Sequence, residues 1–264
     1  MVQIESTPQK VGAAIGQEIC QLLQQKPHAV LCLAAGHTSL ETFDYLVEQK
    51  NTGRCDFSKV RLVELDEWVG MGEHSESCTG FLRRHLFSRL GLDSRQIFLF
   101  DAQSRDLPAE CLRMERLVKE LGGIDLMLLG IGLNGHLGLN EPGCSFEEGP
   151  HTTPLSETTK RVCQKYFSSH ADLQQGITLG IRDIINSRRV VLAATGSHKA
   201  EIVARLLSEE VGPHLPATVL RNHQNSILYL DAAAAQLVQE MDGMVSRMEG
   251  KGKPAEKTLP AKAH

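Results

Sequence analysis

The sequence lacks paired cysteines and long apolar runs, and these two absences exclude several classes of protein. Its seven cysteines are odd in number and are never spaced as Cys-x-x-Cys, a pattern of many zinc and redox sites. Several of them lie inside apolar segments, which favours reduced thiols over disulfide bonds. No apolar run approaches the length of a membrane-spanning helix, and no basic and apolar leader opens the chain. We therefore expect a cytoplasmic protein with no membrane partner and no metal site.

Basic charge is scarce as well. The 28 Lys and Arg residues are outnumbered by 32 Asp and Glu residues, which gives a formal net charge of −4. A chain with this balance has no basic field for nucleic acid or for an anionic membrane. The His-Glu-x-x-His motif of zinc hydrolases is also missing. The expected partner is a small molecule, and neither a metal nor an organic cofactor is required.

One glycine pattern satisfies the Gly-x-Gly-x-x-Gly fingerprint of dinucleotide-binding proteins and has to be weighed. It consists of Gly130, Gly132 and Gly135. The pattern lies in the middle of the chain, after several predicted strands, and Pro142 interrupts the helix that should carry the pyrophosphate. We therefore discard a Rossmann dehydrogenase.

The most informative stretch covers residues 124–143 and reads IDLMLLGIGLNGHLGLNEPG. Its first half is an apolar run of strand length, the kind that a parallel sheet buries on both faces. Two titratable residues, His136 and Glu141, follow this strand five residues apart. Open α/β sheets bind their ligands at the carboxyl ends of strands, so both side chains are candidates for a site. The competing interpretation is a glycine-rich turn with a solvated His and Glu.

A strand, a glycine turn and a helix start also occur near the beginning of the chain. The apolar segment 29–34 is followed by Gly36, His37 and Thr38. Free backbone N–H groups and the helix dipole at such a turn favour an anion such as phosphate. A hydroxyl at this position could instead serve simply as a helix N-cap.

The same arrangement recurs at residues 190–207, where a strand is followed by Gly196 and Lys199 and then by a predicted helix. A lysine in the first turn is unfavourable for a bare helix, because the dipole at the N-terminus favours negative charge. A bound phosphate would remove this conflict. Lys199 is therefore a predicted phosphate ligand.

A third candidate, Asp66, follows the predicted strand 60–65 and precedes Glu67 and Trp68. A carboxylate directly after a buried strand is either a helix cap or a catalytic base. Further along, residues 151–155 read as a small strand, 156–167 as a polar helix and 177–186 as a helix. Residues 241–264 are rich in Gly, Lys, Pro and Ala and are predicted to be a disordered tail.

Several motifs together resemble the family that contains glucosamine-6-phosphate deaminase and 6-phosphogluconolactonase. They occur in the order in which that family has them, and they read LAAGHT at 33–38, LDEWVG at 65–70, GIGLNGHLGLNEPG at 130–143 and TGSHK at 195–199. The resemblance implies a single α/β domain over residues 1–240, with a mostly parallel, Rossmann-like (NagB-type) sheet, helices on both faces and a small lid at about 151–170. It leaves a homo-oligomer open as the assembly.

The resemblance also implies roles for the candidate residues. Asp66 would be the base that moves a proton between C2 and C1 of the substrate, and His136 would relay a proton during ring opening, oriented by Glu141. The loop with Gly36, His37 and Thr38 would grip a sugar phosphate, although the specific role of His37 is open. Lys165 aligns with a lid arginine that contacts phosphate in relatives, and it would supply a point charge rather than a bidentate fork.

One residue departs from the common deaminase pattern, which has Asp two residues before the histidine. This chain has Asn134 there. An amide can orient His136 through a hydrogen bond but contributes no charge. Together with LGLNEPG, Asn134 makes the chain look most like the galactosamine-6-phosphate branch of the family.

The predicted function is therefore aldose-ketose isomerisation with deamination of a 2-amino-2-deoxyhexose 6-phosphate. Galactosamine 6-phosphate is the favoured substrate, with glucosamine 6-phosphate as a second. The leading alternative is a 6-phosphogluconolactonase, which would share the fold and the phosphate site. A non-catalytic sugar-phosphate-binding module is the third, and it would not require Asp66, His136 and Glu141 together.

Overall fold

In the computed structural model, which describes residues 1–72 and 74–238, the strands form two sheets. The strands are β1 (Val2–Glu5), β2 (Val30–Leu33), β3 (Arg61–Val63), β4 (Asp66–Trp68), β5 (Ile97–Phe98), β6 (Leu126–Gly130), β7 (His151–Pro154), β8 (Gln175–Thr178), β9 (Val190–Ala194) and β10 (Ser226–Asp231). The larger sheet has the order β1-β10-β9-β6-β2-β3-β5, and all its neighbouring strands are parallel. The smaller sheet, β4-β8-β7, is antiparallel.

Helices connect these strands along the chain. They are α1 (Pro8–Gln25), α2 (His37–Asn51), α3 (Cys78–Leu82), α4 (Ser88–Leu90), α5 (Leu107–Glu120), α6 (Glu157–Cys163), α7 (Ile181–Asn186) and α8 (Ala200–Ser208). A π-helical segment, Arg83–Phe87, joins α3 to α4. None of the helices within the described ranges has both the length and the apolar content that crossing a membrane requires. The predicted tail, residues 241–264, lies outside the described residues.

The central strand β6 is apolar at every position instead of alternating between apolar and polar residues, because both of its faces are buried. Leu126 and Leu128 belong to the core cluster that also contains side chains of α1 and α2. Met127 and Leu129 belong to a second cluster, with side chains of α5, α7 and α8. Because successive side chains point to opposite faces, a strand covered by helices on both sides needs an apolar residue at every position. The predicted α/β fold, with a mostly parallel sheet and helices on both faces, is confirmed.

The chain changes direction across the large sheet between β2 and β6, which are neighbours. From β2 the chain continues outward through β3, whereas from β6 it continues to the other side through β9. The loops that follow these two strands therefore diverge and leave a crevice at their carboxyl ends. In open α/β sheets this is the position at which ligands bind.

The prediction of one continuous helix over 177–186 is wrong in its first part. Ile177 and Thr178 belong to β8, and Ile177 pairs with Glu67 of β4 on one side and Thr152 of β7 on the other. The helix begins only at Ile181, after Gly180, whose N–H donates to Asp183 Oδ2 at 2.9 Å. A short apolar run does not distinguish a strand from a buried helix by periodicity, and partners far along the chain decided this case.

The predicted lid elements are present in the structure. The strand expected at 151–155 is β7, and the polar helix expected at 156–167 is α6, which continues as a 3₁₀ turn over Gln164–Tyr166. Ser156 caps α6, because its Oγ accepts the backbone N–H of Thr159 at 3.2 Å. This segment forms one wall of the crevice described above.

Candidate active site

The carboxyl ends of four neighbouring strands, β3, β2, β6 and β9, open into one cavity of about 420 Å³. Its walls come from the residues after each strand and from α6 and the turn that follows it. The lining includes most of the residues that the sequence predicted for the site, namely Gly36, His37, Thr38, Asp66, His136, Lys165 and Lys199. The side chains of Asn134 and Glu141 lie behind His136 rather than in the cavity wall.

Asp66 is the first residue of β4 and lies three residues after the end of β3 at Val63. Burial, with a smaller contribution from the neighbouring carboxylate of Glu67, raises the pKa of Asp66 to about 7. A carboxyl group whose pKa lies near neutral can both accept and release a proton at physiological pH. Trp68 lies on the same short strand and is buried, as expected for a residue that helps to exclude water.

Two buried carboxyl groups near Asp66 were not predicted as parts of the site. Glu67 Oε1 accepts the backbone N–H groups of Trp68 at 2.7 Å and Cys78 at 3.0 Å, so it caps the start of α3. Glu64 Oε1 accepts the hydroxyl of Thr79 at 2.6 Å. Burial raises the pKa of both carboxyl groups. Glu67 stood inside the recognised LDEW motif, whereas no sequence signal marked Glu64.

His136 lies in a tight turn in which Gly132 has no room for a side chain. A Cβ atom on Gly132 would lie 2.5 Å from His136 Nε2. The Gly132 N–H also donates to the backbone oxygen of His136 at 3.1 Å. The glycine therefore lets the imidazole lie flat against the backbone at the end of β6, with its ring facing the cavity.

Glu141 lies near the other nitrogen of the imidazole. The distance from His136 Nδ1 to Glu141 Oε2 is 3.7 Å, which is longer than a hydrogen bond. Burial acts to raise the pKa of Glu141, but contacts with His136, Thr159 and Asn134 outweigh it and lower that pKa to about 2. The carboxylate therefore stays ionised and provides a fixed negative charge next to the histidine.

Asn134 accepts a hydrogen bond from the backbone of His136 and donates to Glu141, rather than bonding to the imidazole ring. Its Nδ2 donates to Glu141 Oε2 at 2.7 Å and to Ser156 Oγ at 3.1 Å. Its Oδ1 accepts the backbone N–H of His136 at 3.3 Å. The amide thus holds the carboxylate of Glu141 and the turn that carries His136.

Two ammonium groups, from Lys165 and Lys199, line the same cavity. Lys199 Nζ donates to the backbone oxygen of Ile131 at 2.6 Å. Burial and the charge of Lys165 lower the pKa of Lys199 to about 8, and burial lowers the pKa of Lys165. Within residues 1–72 and 74–238, no carboxylate forms a salt bridge with either lysine. A cavity with two uncompensated cations is suited to a dianion such as a phosphate monoester.

Three histidines line the same cavity as these lysines, and only His37 among them was predicted. The His37 ring lies 5.0 Å from the ring of Tyr166, and His85 and His198 also line the cavity. Burial lowers the pKa of all three, and Lys165 contributes at His37 and at His198. The position of His198 directly before Lys199 was a usable signal, whereas His85 reaches the cavity only through the π-helical turn.

The described residues contain no group of three His, Cys, Asp or Glu side chains that could hold a metal ion. The chemistry that the cavity itself offers is proton transfer, by Asp66 and His136, beside an anion-binding pole. Such a combination suits a phosphorylated small molecule that is isomerised or hydrolysed.

Comparison with known proteins gives the family of this chain. Residues 3–229 match the family model described as glucosamine-6-phosphate isomerases/6-phosphogluconolactonase. A glucosamine-6-phosphate deaminase of Geobacillus sp. (strain WCH70) is 41% identical over 220 residues, covering 83% of this chain and 88% of the relative. The corresponding protein of Bacillus pumilus (strain SAFR-032) is 37% identical over 231 residues, or 87% of this chain and 96% of the relative.

Solved structures agree with this assignment. A monomeric glucosamine-6-phosphate deaminase of the NagB superfamily superposes with a TM-score of 0.87 at 33% identity, covering 89% of this chain and 99% of the other. A 6-phosphogluconolactonase from Thermotoga maritima has a TM-score of 0.71 at 20% identity, covering 88% and 99%, and shows the shared fold alone. The chain belongs to the glucosamine-6-phosphate isomerase/6-phosphogluconolactonase family.

Proposed function

We propose that the protein is an isomerising deaminase, which converts a 2-amino-2-deoxyhexose 6-phosphate into a ketohexose 6-phosphate and ammonia. The observation that carries this proposal is the single cavity that combines the near-neutral carboxyl group of Asp66, the imidazole of His136 and the ammonium groups of Lys165 and Lys199. The relatives that are 41% and 37% identical are both named glucosamine-6-phosphate deaminase, which supports the same activity.

The reaction begins with opening of the sugar ring. His136 takes the proton of the anomeric hydroxyl and gives a proton to the ring oxygen, so the C1 aldehyde forms. Glu141 stabilises the imidazole when it carries both protons, because its own charge is retained. An aldehyde at C1 is needed because it acidifies the hydrogen on C2.

Isomerisation and loss of ammonia follow. Asp66 removes the proton from C2 while the ammonium group on C2 gives a proton to the aldehyde oxygen, which forms an enolamine. Asp66 then returns its proton to C1, which gives an iminium at C2. Water adds to this carbon, the C–N bond breaks and ammonia leaves with a proton, so that a ketone remains at C2. A base with a pKa of about 7 is matched to both halves of this transfer.

The phosphate end of the substrate is assigned to the opposite pole of the cavity. Lys199 and Lys165 provide the charge, and the turn with Gly36, His37 and Thr38 provides backbone N–H groups at the start of α2. Gly36 has φ 138°, a conformation that other residues rarely adopt, so this turn depends on glycine. Binding at a site remote from C1 and C2 orients the reacting carbons against Asp66 and His136.

The configuration at C4 of the sugar is the finer question. Asn134 and the LGLNEPG segment favour galactosamine 6-phosphate, whereas the relatives above carry the name of the glucosamine enzyme. We keep the galactosamine preference as a prediction with the glucosamine epimer as its competitor. A coupled ammonia assay with both amino-sugar phosphates, side by side, decides between them by their kcat/KM values.

The same assay tests the rival functions. A lactonase would hydrolyse 6-phosphogluconolactone and release no ammonia from either amino-sugar phosphate. A non-catalytic binding module would bind the sugar phosphates without converting them. Ammonia release at a rate that depends on Asp66 supports the proposal, and failure to release ammonia from both substrates would overturn it.

The assembly of the protein is part of this proposal as well. The sequence left a homo-oligomer open, and the structural relative at 33% identity is described as monomeric. Light scattering coupled to gel filtration measures the mass in solution. A mass near 29.0 kDa would contradict the homo-oligomer.

A further inference from the structure

The hydroxyl group of Thr159 contacts the imidazole of His136, and its hydrogen bond helps to lower the pKa of Glu141. Thr159 Oγ1 is 3.1 Å from His136 Nδ1, whereas the carboxylate of Glu141 is 3.7 Å from the same nitrogen. Only the first distance is that of a hydrogen bond. Thr159 belongs to α6, the helix that forms one wall of the cavity, and its side chain is buried. The contact between the histidine and the acid thus passes through a third residue from another element.

The hydrogen bonds around Thr159 determine to which neighbour each hydroxyl proton of Ser156 and Thr159 is donated. Ser156 Oγ accepts from Asn134 Nδ2 at 3.1 Å and from the Thr159 N–H at 3.2 Å, so both of its lone pairs are used. Its single hydroxyl proton is directed to Thr159 Oγ1 at 3.1 Å. Thr159 Oγ1 therefore accepts one hydrogen bond from Ser156 and has one lone pair and one proton left for its other neighbours.

The carboxylate of Glu141 can only accept, because its pKa is far below neutral. The remaining proton of Thr159 goes to this carboxylate, whose pKa the hydrogen bond from Thr159 helps to lower. The remaining lone pair of Thr159 then accepts the hydrogen bond from His136 Nδ1–H. In this arrangement each group has a partner. It also leaves the other ring nitrogen, Nε2, without a proton, and this imidazole lines the cavity in which a general base for ring opening has to act.

We propose that Thr159 is a positioning residue, which fixes the proton of His136 on Nδ1 by relaying its hydrogen bond to Glu141. The hydroxyl of α6 thereby selects the tautomer that can take a proton from the substrate. Because Ser156 and Thr159 both belong to the segment over the cavity, the position of α6 decides whether the imidazole is ready to react. A displaced α6 would leave His136 without its partner.

This inference rests on the proposed function for its kinetic test. Thr159→Val keeps the shape of the side chain and removes the hydroxyl group. We expect kcat for ammonia release to fall about tenfold to hundredfold, because a misdirected catalytic group costs rate rather than binding, while KM changes by less than about twofold. Thr159→Ser restores the hydroxyl and should recover kcat to within about threefold of the unmodified enzyme.

Two comparisons separate positioning from a structural role. Thr152→Val, in β7, is the matched control for a Thr-to-Val change in the same part of the chain, and it should leave kcat unchanged. In a His136→Gln background, Thr159→Val should cost less than about twofold, because residues that act through one group are not additive. A full additional loss in that background would show that Thr159 acts independently of His136 and would overturn the inference.

A measurement without substrate makes the inference independent of the proposed function. The ¹⁵N spectrum of histidine-labelled protein reports the tautomer of each ring, and the His136→Gln variant identifies the signal of His136. We expect the Nδ1–H tautomer in the unmodified protein and in Thr152→Val, and a large Nε2–H fraction in Thr159→Val. The same tautomer in all three proteins would overturn the inference, whereas the expected spectra without any ammonia release would overturn the proposed function alone.

Discussion

The ammonium group of Lys199 donates a hydrogen bond to the backbone oxygen of Ile131 at 2.6 Å. This contact joins the turn after β9 to the loop after β6, which carries His136. The lysine therefore lies at the boundary between the anion-binding pole and the proton-transfer pole of the cavity. Its position beside the start of α8 is unfavourable without an anion, so the site is built for a negatively charged ligand.

Lys199→Ala should weaken substrate binding much more than it slows the reaction. The phosphate is remote from C1 and C2, so its contact is made equally in the ground state and in the transition state, and KM should rise about tenfold or more with a smaller change in kcat. Steady-state ammonia release measures both constants. Lys160→Ala, on the outer part of α6, is the control, and an unchanged KM in Lys199→Ala would remove this residue from the phosphate site.

Asp66→Asn should abolish isomerisation while the substrate still binds. Loss of a general base costs on the order of a hundredfold to ten-thousandfold in rate, and the amide keeps the shape of the carboxyl group. Ammonia release gives kcat, and calorimetry gives the affinity for the substrate. Asp44→Asn, an exposed carboxylate on α2, serves as the control. A variant at position 66 that retains most of its kcat would show that another group is the base.

The raised pKa of Asp66 predicts a pH dependence of stability with a definite sign. Between the ordinary carboxyl pKa and about 7, the folded state holds a proton that the unfolded state has lost. The free energy of unfolding therefore falls as pH rises across this range, by up to about 1.4 kcal/mol per pH unit for one proton. The loss is complete above about pH 7.

Urea unfolding at pH 5 and at pH 7 measures this slope, and Asp66→Asn is the comparison because it removes the titrating group. Glu64 and Glu67 contribute in the same direction in both proteins, since burial raises their pKa as well. Glu141, with its pKa lowered to about 2, acts in the opposite direction but only at lower pH. Identical slopes in the two proteins would contradict a near-neutral pKa for Asp66.

Asn134→Asp should lower the free energy of unfolding, and this loss should become larger as pH rises. The Nδ2 of Asn134 donates to Glu141 Oε2 at 2.7 Å, and a carboxylate there would meet a like charge at that distance. The two carboxyl groups would have to share a proton, which is held less easily as pH rises. In thermal unfolding, the difference in Tm between this variant and the unmodified protein should widen from about pH 5 to about pH 8.

The control for this prediction is Asn134→Ala, which removes the hydrogen bond to the carboxylate without adding a charge. We expect a loss of about 1–3 kcal/mol in the free energy of unfolding that is nearly the same at both pH values, since one partner of a partly buried, charged hydrogen bond is missing. If the stability difference between Asn134→Asp and the unmodified protein did not change with pH, the prediction would be wrong, and residue 134 and Glu141 would have to move apart in the variant.

The sequence alone was sufficient for the architecture and for the location of the cavity. Apolar runs such as 124–131 predict buried parallel strands because every position has to face a helix. Polar and glycine residues directly after those strands, among them Asp66, His136 and Lys199, predict a common site, since the carboxyl ends of parallel strands meet at one edge of the sheet. These inferences depend on local patterns, and local patterns are visible in a sequence.

Only the tertiary structure decided the contacts that join distant segments. The sequence predicted a helix over residues that form the end of β8. It did not predict that Glu64 would be buried near the site or that Asn134 would donate to Glu141. It also did not predict that the hydroxyl of Thr159, 23 residues from His136, would contact the imidazole. Such contacts depend on the path of the chain between the two residues. Residue type and spacing do not encode that path. A Thr or a Glu has the same letter in the sequence whether it lies on an exposed helix or in a buried site.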